Sequence, residues 1–388
     1  MAIKASRRGR IAPFIVMDVM AAANARAAAG HDVVHLEVGQ PSTAAPAGVL
    51  EAAARALGSE RLGYTEAFGV PELRRAIADD YRGRYGVEVD AGRIAVTAGS
   101  SGAFVLAFLS AFDAGDRVAF AAPGYPGYRN ILAALDIEPV PLIADRSHGF
   151  QPTVELLSAL SRPPDGLILA SPANPTGSML AAEDIRGLVE WCGTNGVRVI
   201  SDEIYHGITY GTTAVTLADL DPSAIVINSF SKYYSMTGWR LGWMVVPQDL
   251  LRVVECLAQN LFISPPTLSQ HAARAVFGCK EALDANVRRY AENRAILLDG
   301  LPRCGFGPFA PADGAFYIYA GIGAFGGESP DIAREILNDT GVAVTPGVDF
   351  DLAHGKNFVR FSYAGSGDEM HEAVRRLEAW WQRRTATA

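Results

Sequence analysis

Lysine is nearly missing from this chain. Only Lys4, Lys232, Lys280 and Lys356 occur in 388 residues that carry 34 lysines and arginines together, so 30 cations are arginine. A lysine kept in that background marks a place where arginine cannot serve, and Lys232 follows an apolar run in "SFSKYYSMTGWR". Cysteine is also scarce. Cys192, Cys256, Cys279 and Cys304 form no C-x-x-C pair, so neither a metal centre nor a disulfide framework is expected, and reduced thiols are the default. No run approaches the roughly 18 apolar residues of a membrane span. The first 30 residues begin basic and turn apolar, but Asp18, Asn24 and Arg26 interrupt them. They read as an arm and an amphipathic helix rather than a targeting segment, and a cytoplasmic protein is expected. Positive charge is not in excess. A net charge of −8 and a pI near 5.4 argue against a nucleic-acid partner. Repeats, low-complexity tracts and long linkers are absent.

What the chain has is a large apolar fraction, 49% with 20% charged residues, enough for roughly two globular domains. From Gly92 to Val246, short β-rich runs alternate with helical patterns. "RIAVT", "RVAFAA", "EPVPLI", "GLILAS", "VRVIS", "AIVINS" and "WMVV" are strand candidates, and "SSGAFVLAFLSAF" and "AAEDIRGLVEWCGTN" are helix candidates. Such alternation predicts an α/β fold whose mostly parallel sheet lies between helices. After Ser269 the pattern changes to one long helical stretch over 269–301, the strands "AFYIYA", "VAVT" and "NFVRFSY", and a last helix. The expected division is a large domain over 45–285 and a smaller α+β domain made of 1–44 and 286–388.

Ligands of parallel sheets bind beyond the carboxyl ends of the strands. Each expected strand end carries a polar motif with two readings. Ser100 and Ser101 open a helix after "RIAVT", which makes either an anion site or an ordinary helix start. Asn174 lies in "NPTG", a ligand contact or a Pro/Gly turn. Asp202 and Tyr205 lie in "SDEIY"; the carboxylate could face a cationic ring nitrogen or cap a turn. Ser229, Lys232 and Arg240 follow the next strand. A lysine in a desolvated, cation-rich crevice becomes a nucleophile and base, which arginine cannot be. Arg360, flanked by apolar residues in "NFVRFSYA", needs a carboxylate partner, internal or from a substrate.

In their order along the chain, "LEVGQPS", "YTEAFGVPELR", "VTAGSS", "PGYPGY", "NPTG", "SDEIY", "SFSKYYSMTGWRLG" and "VRFSYA" resemble the class I/II aminotransferases, pyridoxal-phosphate enzymes of fold-type I. The likeness runs from about Leu36 to the last helix. It implies that Lys232 forms a Schiff base with pyridoxal 5'-phosphate, that Asp202 pairs with the ring nitrogen, and that Tyr205 and Asn174 hydrogen-bond the ring's phenolic oxygen. It implies that Tyr125 stacks on the ring, with Ser100, Ser101, Ser229 and Arg240 around the phosphate. Tyr64 matches a residue that reaches the neighbouring subunit's phosphate, which implies a homodimer with shared sites. Arg360 matches the clamp on the substrate carboxylate, and Gly39 lines the substrate pocket. The implied reaction moves an amino group from an α-amino acid to a 2-oxo acid in two half reactions, by a ping-pong mechanism.

Dicarboxylate-specific relatives carry a further cation. Here Gln270 and His271 stand near that position, Arg274 comes too late, and the stretch from Ser101 to Asp116 holds no cation. A neutral, apolar or aromatic donor is therefore expected, with Phe104 and Phe108 as core. A β-eliminating lyase on the same scaffold is the alternative reaction, and a cofactor-binding regulatory protein the alternative class.

Overall fold

The computed structural model describes residues 3–386, so residues 1–2 and 387–388, the ends of the expected smaller domain, lie outside it. Twelve strands occur among the described residues: β1 Val34–His35, β2 Ile94–Thr97, β3 Arg117–Ala122, β4 Glu138–Ile143, β5 Gly166–Ala170, β6 Arg198–Asp202, β7 Ile225–Ser229, β8 Gly242–Val245, β9 Tyr317–Gly321, β10 Val342–Ala343, β11 Thr345–Pro346 and β12 Phe358–Ser362. β2 to β8 are the seven runs expected in the first part of the sequence. They form one sheet in the order β2-β8-β7-β6-β5-β3-β4. Only β8 runs against its neighbours, so the carboxyl ends of the other six strands share one edge.

The near-continuous apolar strands are buried because helices cover both faces. Helix Gly99–Ala111 is apolar around its circumference and buries Gly102, Ala103, Phe104, Leu106, Ala107 and Phe108. It packs between the sheet and helix Leu251–Leu261, as an all-round apolar helix must. Phe108 is a core residue as expected, 0% exposed, whereas Phe104, 1% exposed, packs in the core and also lines a cavity.

The C-terminal part builds a separate antiparallel sheet, β11-β12-β9, with Arg360 of β12 opposite Tyr319 and Thr345. Two expectations change here. "VAVT" is not one strand. Val342 and Ala343 pair in parallel with Val34 and His35 of β1, whereas Thr345 and Pro346 pair with β12. Pro346 is tolerated because β11 is an edge strand. The helical stretch over 269–301 is also interrupted, as helix Thr267–Ala273, a 3-10 turn over Arg274–Gly278 and helix Lys280–Gly300. The break falls at Gly278, which favours chain reversal over helix.

Helix Ile15–Ala28 has no side chain of its own neighbourhood at its N-terminus. Its first amides donate instead to the buried Asp349 carboxylate, Ile15 N at 3.2 Å and Val16 N at 3.1 Å. No helix among the described residues is long and apolar enough to cross a membrane, and all four cysteines are free.

Candidate active site

A cavity of about 480 Å³ opens at the shared carboxyl edge of the large sheet. Its wall brings together Gly39, Ser100, Ser101, Tyr125, Asn174, Asp202, Tyr205, Lys232, Arg240 and Arg360, which are scattered over more than 300 residues of sequence. Two other expected residues stand elsewhere. Ser229 is 1% exposed and lies beneath the wall, accepting from Ser231 N at 3.0 Å; Ser231 itself faces the cavity. Tyr64 is 84% exposed on the surface of this chain.

Lys232 Nζ, half-buried, donates to the Gly39 carbonyl at 2.6 Å. Burial pushes its ammonium down from 10.5 to about 8, with the Arg360 and Arg240 cations adding to the effect and Asp202 opposing it. Far more of this amine is unprotonated near neutral pH than of an ordinary lysine, as a nucleophile requires. Asp202 ends β6 with a 4% exposed side chain. It accepts from the Tyr128 hydroxyl and from Ile204 N at 3.2 Å. Burial pushes its carboxyl up to about 6, although the Tyr128 bond pulls the other way. Asp202 has no cationic side chain within ion-pair distance among the described residues.

One corner is built for an anion. Helix Gly99–Ala111 begins without a side-chain cap, leaving first-turn amides free beside Ser100 and Ser101. Gly99 has a φ of +70°, and a Cβ there would sit inside the Arg240 guanidinium. Gly242 lets β8 pass under the same turn, where a Cβ would fall 2.8 Å from Ser100 N. Arg240 is exposed and donates from Nη1 to Thr237 O at 3.0 Å. The result is a cradle of backbone amides, hydroxyls and a permanent cation, drawn together by two glycines.

Arg360 lies at the other end and is 3% exposed. It donates to Asn174 Oδ1 at 2.8 Å, to the Glu37 carbonyl, and to Thr345 Oγ1 at 3.3 Å. Its Nε has no partner. The Tyr317 and Phe350 rings lie 4.3 and 4.7 Å from its guanidinium carbon. Every hydrogen bond of this buried cation goes to a neutral acceptor, and the more distant Asp349 carboxylate acts on it only through space, so a carboxylate entering the cavity meets a cation with no ion-pair partner among the described residues.

Sequence reasoning missed several contributors. Tyr128 follows Tyr125 by three residues on the helix Pro126–Ala134 side of "PGYPGY", and that spacing puts both near one face. Their rings meet edge to face at 5.3 Å. Tyr317 donates to or accepts from Tyr205 at 2.6 Å between hydroxyl oxygens. Phe14, Val16, Met17 and Met20 of the N-terminal segment form an apolar wall, with Phe14 edge-on to Tyr125 at 5.8 Å. The amphipathic pattern of that segment was legible, but not what its apolar side would cover.

A phosphorylated pyridine aldehyde fits these residues. The glycine cradle suits its phosphate, the unpaired Asp202 carboxylate its cationic nitrogen, and the Lys232 amine its carbonyl carbon. Comparison with known proteins agrees. The family described as aminotransferase class I and II matches residues 31–377. A valine–pyruvate aminotransferase of Mycobacterium tuberculosis is 49% identical over 377 residues, covering 96% of this chain and 97% of the relative. A crystal structure of an aminotransferase from the same organism superposes with a TM-score of 0.96 at 48% identity, over 98% of this chain and all of that one. Aspartate aminotransferase from Thermus thermophilus with maleate gives a TM-score of 0.91 at 29% identity, over 97% and 100% of the two chains. The chain belongs to the class I and II aminotransferases, and is a pyridoxal-phosphate-dependent enzyme that moves amino groups between amino acids and 2-oxo acids.

Proposed function

We propose that this aminotransferase acts on neutral amino acids with apolar side chains, with Lys232 as its catalytic base and covalent anchor. The observation that carries the donor preference is the composition of the cavity wall. Lys232, Arg240 and Arg360 are its only cations among the described residues, and Phe14, Val16, Met17, Met20, Phe104 and Ile131 are among its apolar members. Arg360 is taken by the α-carboxylate and Arg240 by the phosphate, so a second substrate carboxylate would be desolvated with no partner from this chain. The valine–pyruvate specificity in the name of the 49% identical relative points the same way.

The roles follow from position. Arg360 grips the α-carboxylate of donor and acceptor alike, steadied by Asn174. Pyridoxal phosphate, when bound, supplies an electrophilic carbon for the amino group and a ring that takes up the electron pair left by the α-proton. Asp202, aimed by Tyr128, would hold the ring nitrogen in its cationic form, and Tyr205 and Asn174 would hydrogen-bond the phenolic oxygen. Tyr125 covers the ring face. Ser100, Ser101, Ser229 and Arg240 would hold the phosphate, with Ser231 facing the same cavity. Lys232 Nζ, its hold on a proton weakened by burial, would take the α-proton as a general base. Gly39 keeps Lys232 directed through its carbonyl.

The reading includes a homodimer in which Tyr64 reaches the partner's phosphate site. Its support is the 84% exposure of Tyr64, with Leu62, Leu261 and Ile263 also exposed. It also includes two domains, 45–285 and 1–44 with 286–388, supported by the pairing of Val34 with Val342.

A panel of amino acids added to the cofactor-loaded protein, followed by its visible spectrum, tests the donor preference. Valine and similar donors are expected to convert the cofactor at least about 100-fold more efficiently than aspartate. Aspartate as the best donor would sink the proposal.

A further inference from the structure

Tyr317 is the residue where the two ends of the cavity meet. It begins β9 and is 1% exposed. Its ring lies 4.3 Å from the guanidinium carbon of Arg360, and its hydroxyl stands 2.6 Å from that of Tyr205. The two phenol rings are 5.6 Å apart and nearly perpendicular, at 77°. Gly39 closes the position from the third side, because a Cβ there would overlap the Tyr317 hydroxyl. Gly39 is also the carbonyl to which Lys232 donates. A single buried phenol thus touches the carboxylate clamp, the cofactor-facing tyrosine and the backbone that directs the lysine.

A hydroxyl has one proton to donate. In the pair Tyr205–Tyr317 only one phenol can donate to the other. When an oxygen acceptor lies against Tyr205, its proton is required there. The Tyr205 oxygen can then accept from Tyr317, which the 2.6 Å contact permits without movement of either ring. Hydrogen bonds in such a chain polarise and strengthen one another. The other face of the same residue serves Arg360, because an aromatic ring attracts a guanidinium and fixes its plane.

We propose that Tyr317 is a positioning residue that couples substrate binding to cofactor tuning: its ring seats the Arg360 guanidinium, and its hydroxyl donates to Tyr205 so that Tyr205 donates to the phenolic oxygen of the cofactor. The inference rests on the site reading given under Proposed function. Neither part can be replaced by the other, so two substitutions separate them. Tyr317→Phe keeps the ring and removes the relay. Tyr317→Leu removes both.

The test uses the cofactor-loaded protein and two readouts that need no turnover. The first is the pH midpoint of its visible absorption. A donor to the phenolic oxygen stabilises the phenolate and so weakens the hold on the neighbouring proton; weakening that donor moves the midpoint up. Tyr317→Phe is expected to raise the midpoint by about 0.5 pH unit. The second is the dissociation constant of 2-methylalanine, which carries an α-carboxylate but no α-proton to lose. Tyr317→Phe is expected to leave it within about twofold, and Tyr317→Leu to raise it about tenfold. An unmoved midpoint in Tyr317→Phe overturns the relay, and wild-type affinity in Tyr317→Leu overturns the platform. Borohydride reduction of the wild-type protein separates this from the underlying reading. Absence of a covalent adduct at Lys232 would overturn both, whereas a normal adduct with an unmoved midpoint overturns only the coupling.

Discussion

The hydroxyl of Tyr128 donates to the carboxylate of Asp202, and both groups are buried. That bond sets the direction of the carboxylate and stabilises its charged form, while burial works against the charge. Tyr128→Phe is therefore expected to raise the Asp202 carboxyl above its value of about 6. Asp202 is an anion only above that value, so the loss of cofactor affinity should be greater at pH 6 than at pH 8. A loss of about tenfold at the lower pH is expected from a single bond to a charged group. Absorbance titration of the apoprotein with pyridoxal phosphate at the two pH values measures it, and an equal loss at both would contradict the account.

Lys232 yields a second pH dependence in the same direction, from a pKa shifted the other way. Its amine is neutral above about 8 instead of 10.5. Capture of pyridoxal phosphate by the apoprotein should accelerate about tenfold per unit as pH rises toward 8, then level off. A stopped-flow series across pH 6 to 10 would follow it. Continued acceleration to pH 10 would mean that burial does not lower this amine.

Arg360 binds through a planar fork, with Nη1 and Nη2 already placed by Asn174, Glu37 and Thr345. Arg360→Lys keeps one charge and loses the fork. The KM values for donor and acceptor are expected to rise together, by about 100-fold. A rise for one substrate alone would show that the two α-carboxylates bind in different places.

Gly99 is tested by adding one methyl group. At φ +70° an alanine is strained, and its Cβ would displace the Arg240 guanidinium. Gly99→Ala should weaken cofactor binding by at least about tenfold while leaving the thermal midpoint of the apoprotein within a few degrees. Unchanged affinity would place the phosphate outside this cradle.

Asp349 holds the first two amides of helix Ile15–Ala28, and that helix carries Val16, Met17 and Met20 of the apolar wall. Asp349→Ala removes a helix cap worth about 0.5–2 kcal/mol. The wall should loosen, so KM should rise several-fold for valine and little for alanine, whose side chain does not reach that far. Steady-state kinetics with the two donors distinguish this from a general loss of fold.

The strands of the large sheet were legible because each is a short apolar run closed by a polar motif, and the motifs follow from strand ends. What the sequence hid depends on distant partners. The Ser229 hydroxyl turns to the Ser231 amide within a tight loop, a choice that local spacing does not reveal. Tyr317 sits in an apolar strand like any core aromatic, and only the approach of Arg360 and Tyr205 distinguishes it. "VAVT" divides because its first half finds the N-terminal segment and its second half finds β12. Breaks in the long helical stretch were hidden because Gly278 is a single weak signal among many helix-compatible residues.

The bond from Asp349 to Ile15 also has a consequence in time. The two residues are 334 positions apart, a distance that a ribosome covers in roughly 20–70 s at about 5–20 residues per second. Through that interval the first helix has been made but lacks its cap, and Phe14, Met17 and Met20 lack the cavity they cover. The wall proposed to favour apolar donors is thus written first and cannot be capped until residue 349 has been made. A chain truncated before residue 349 would present those side chains to whatever holds unfinished proteins.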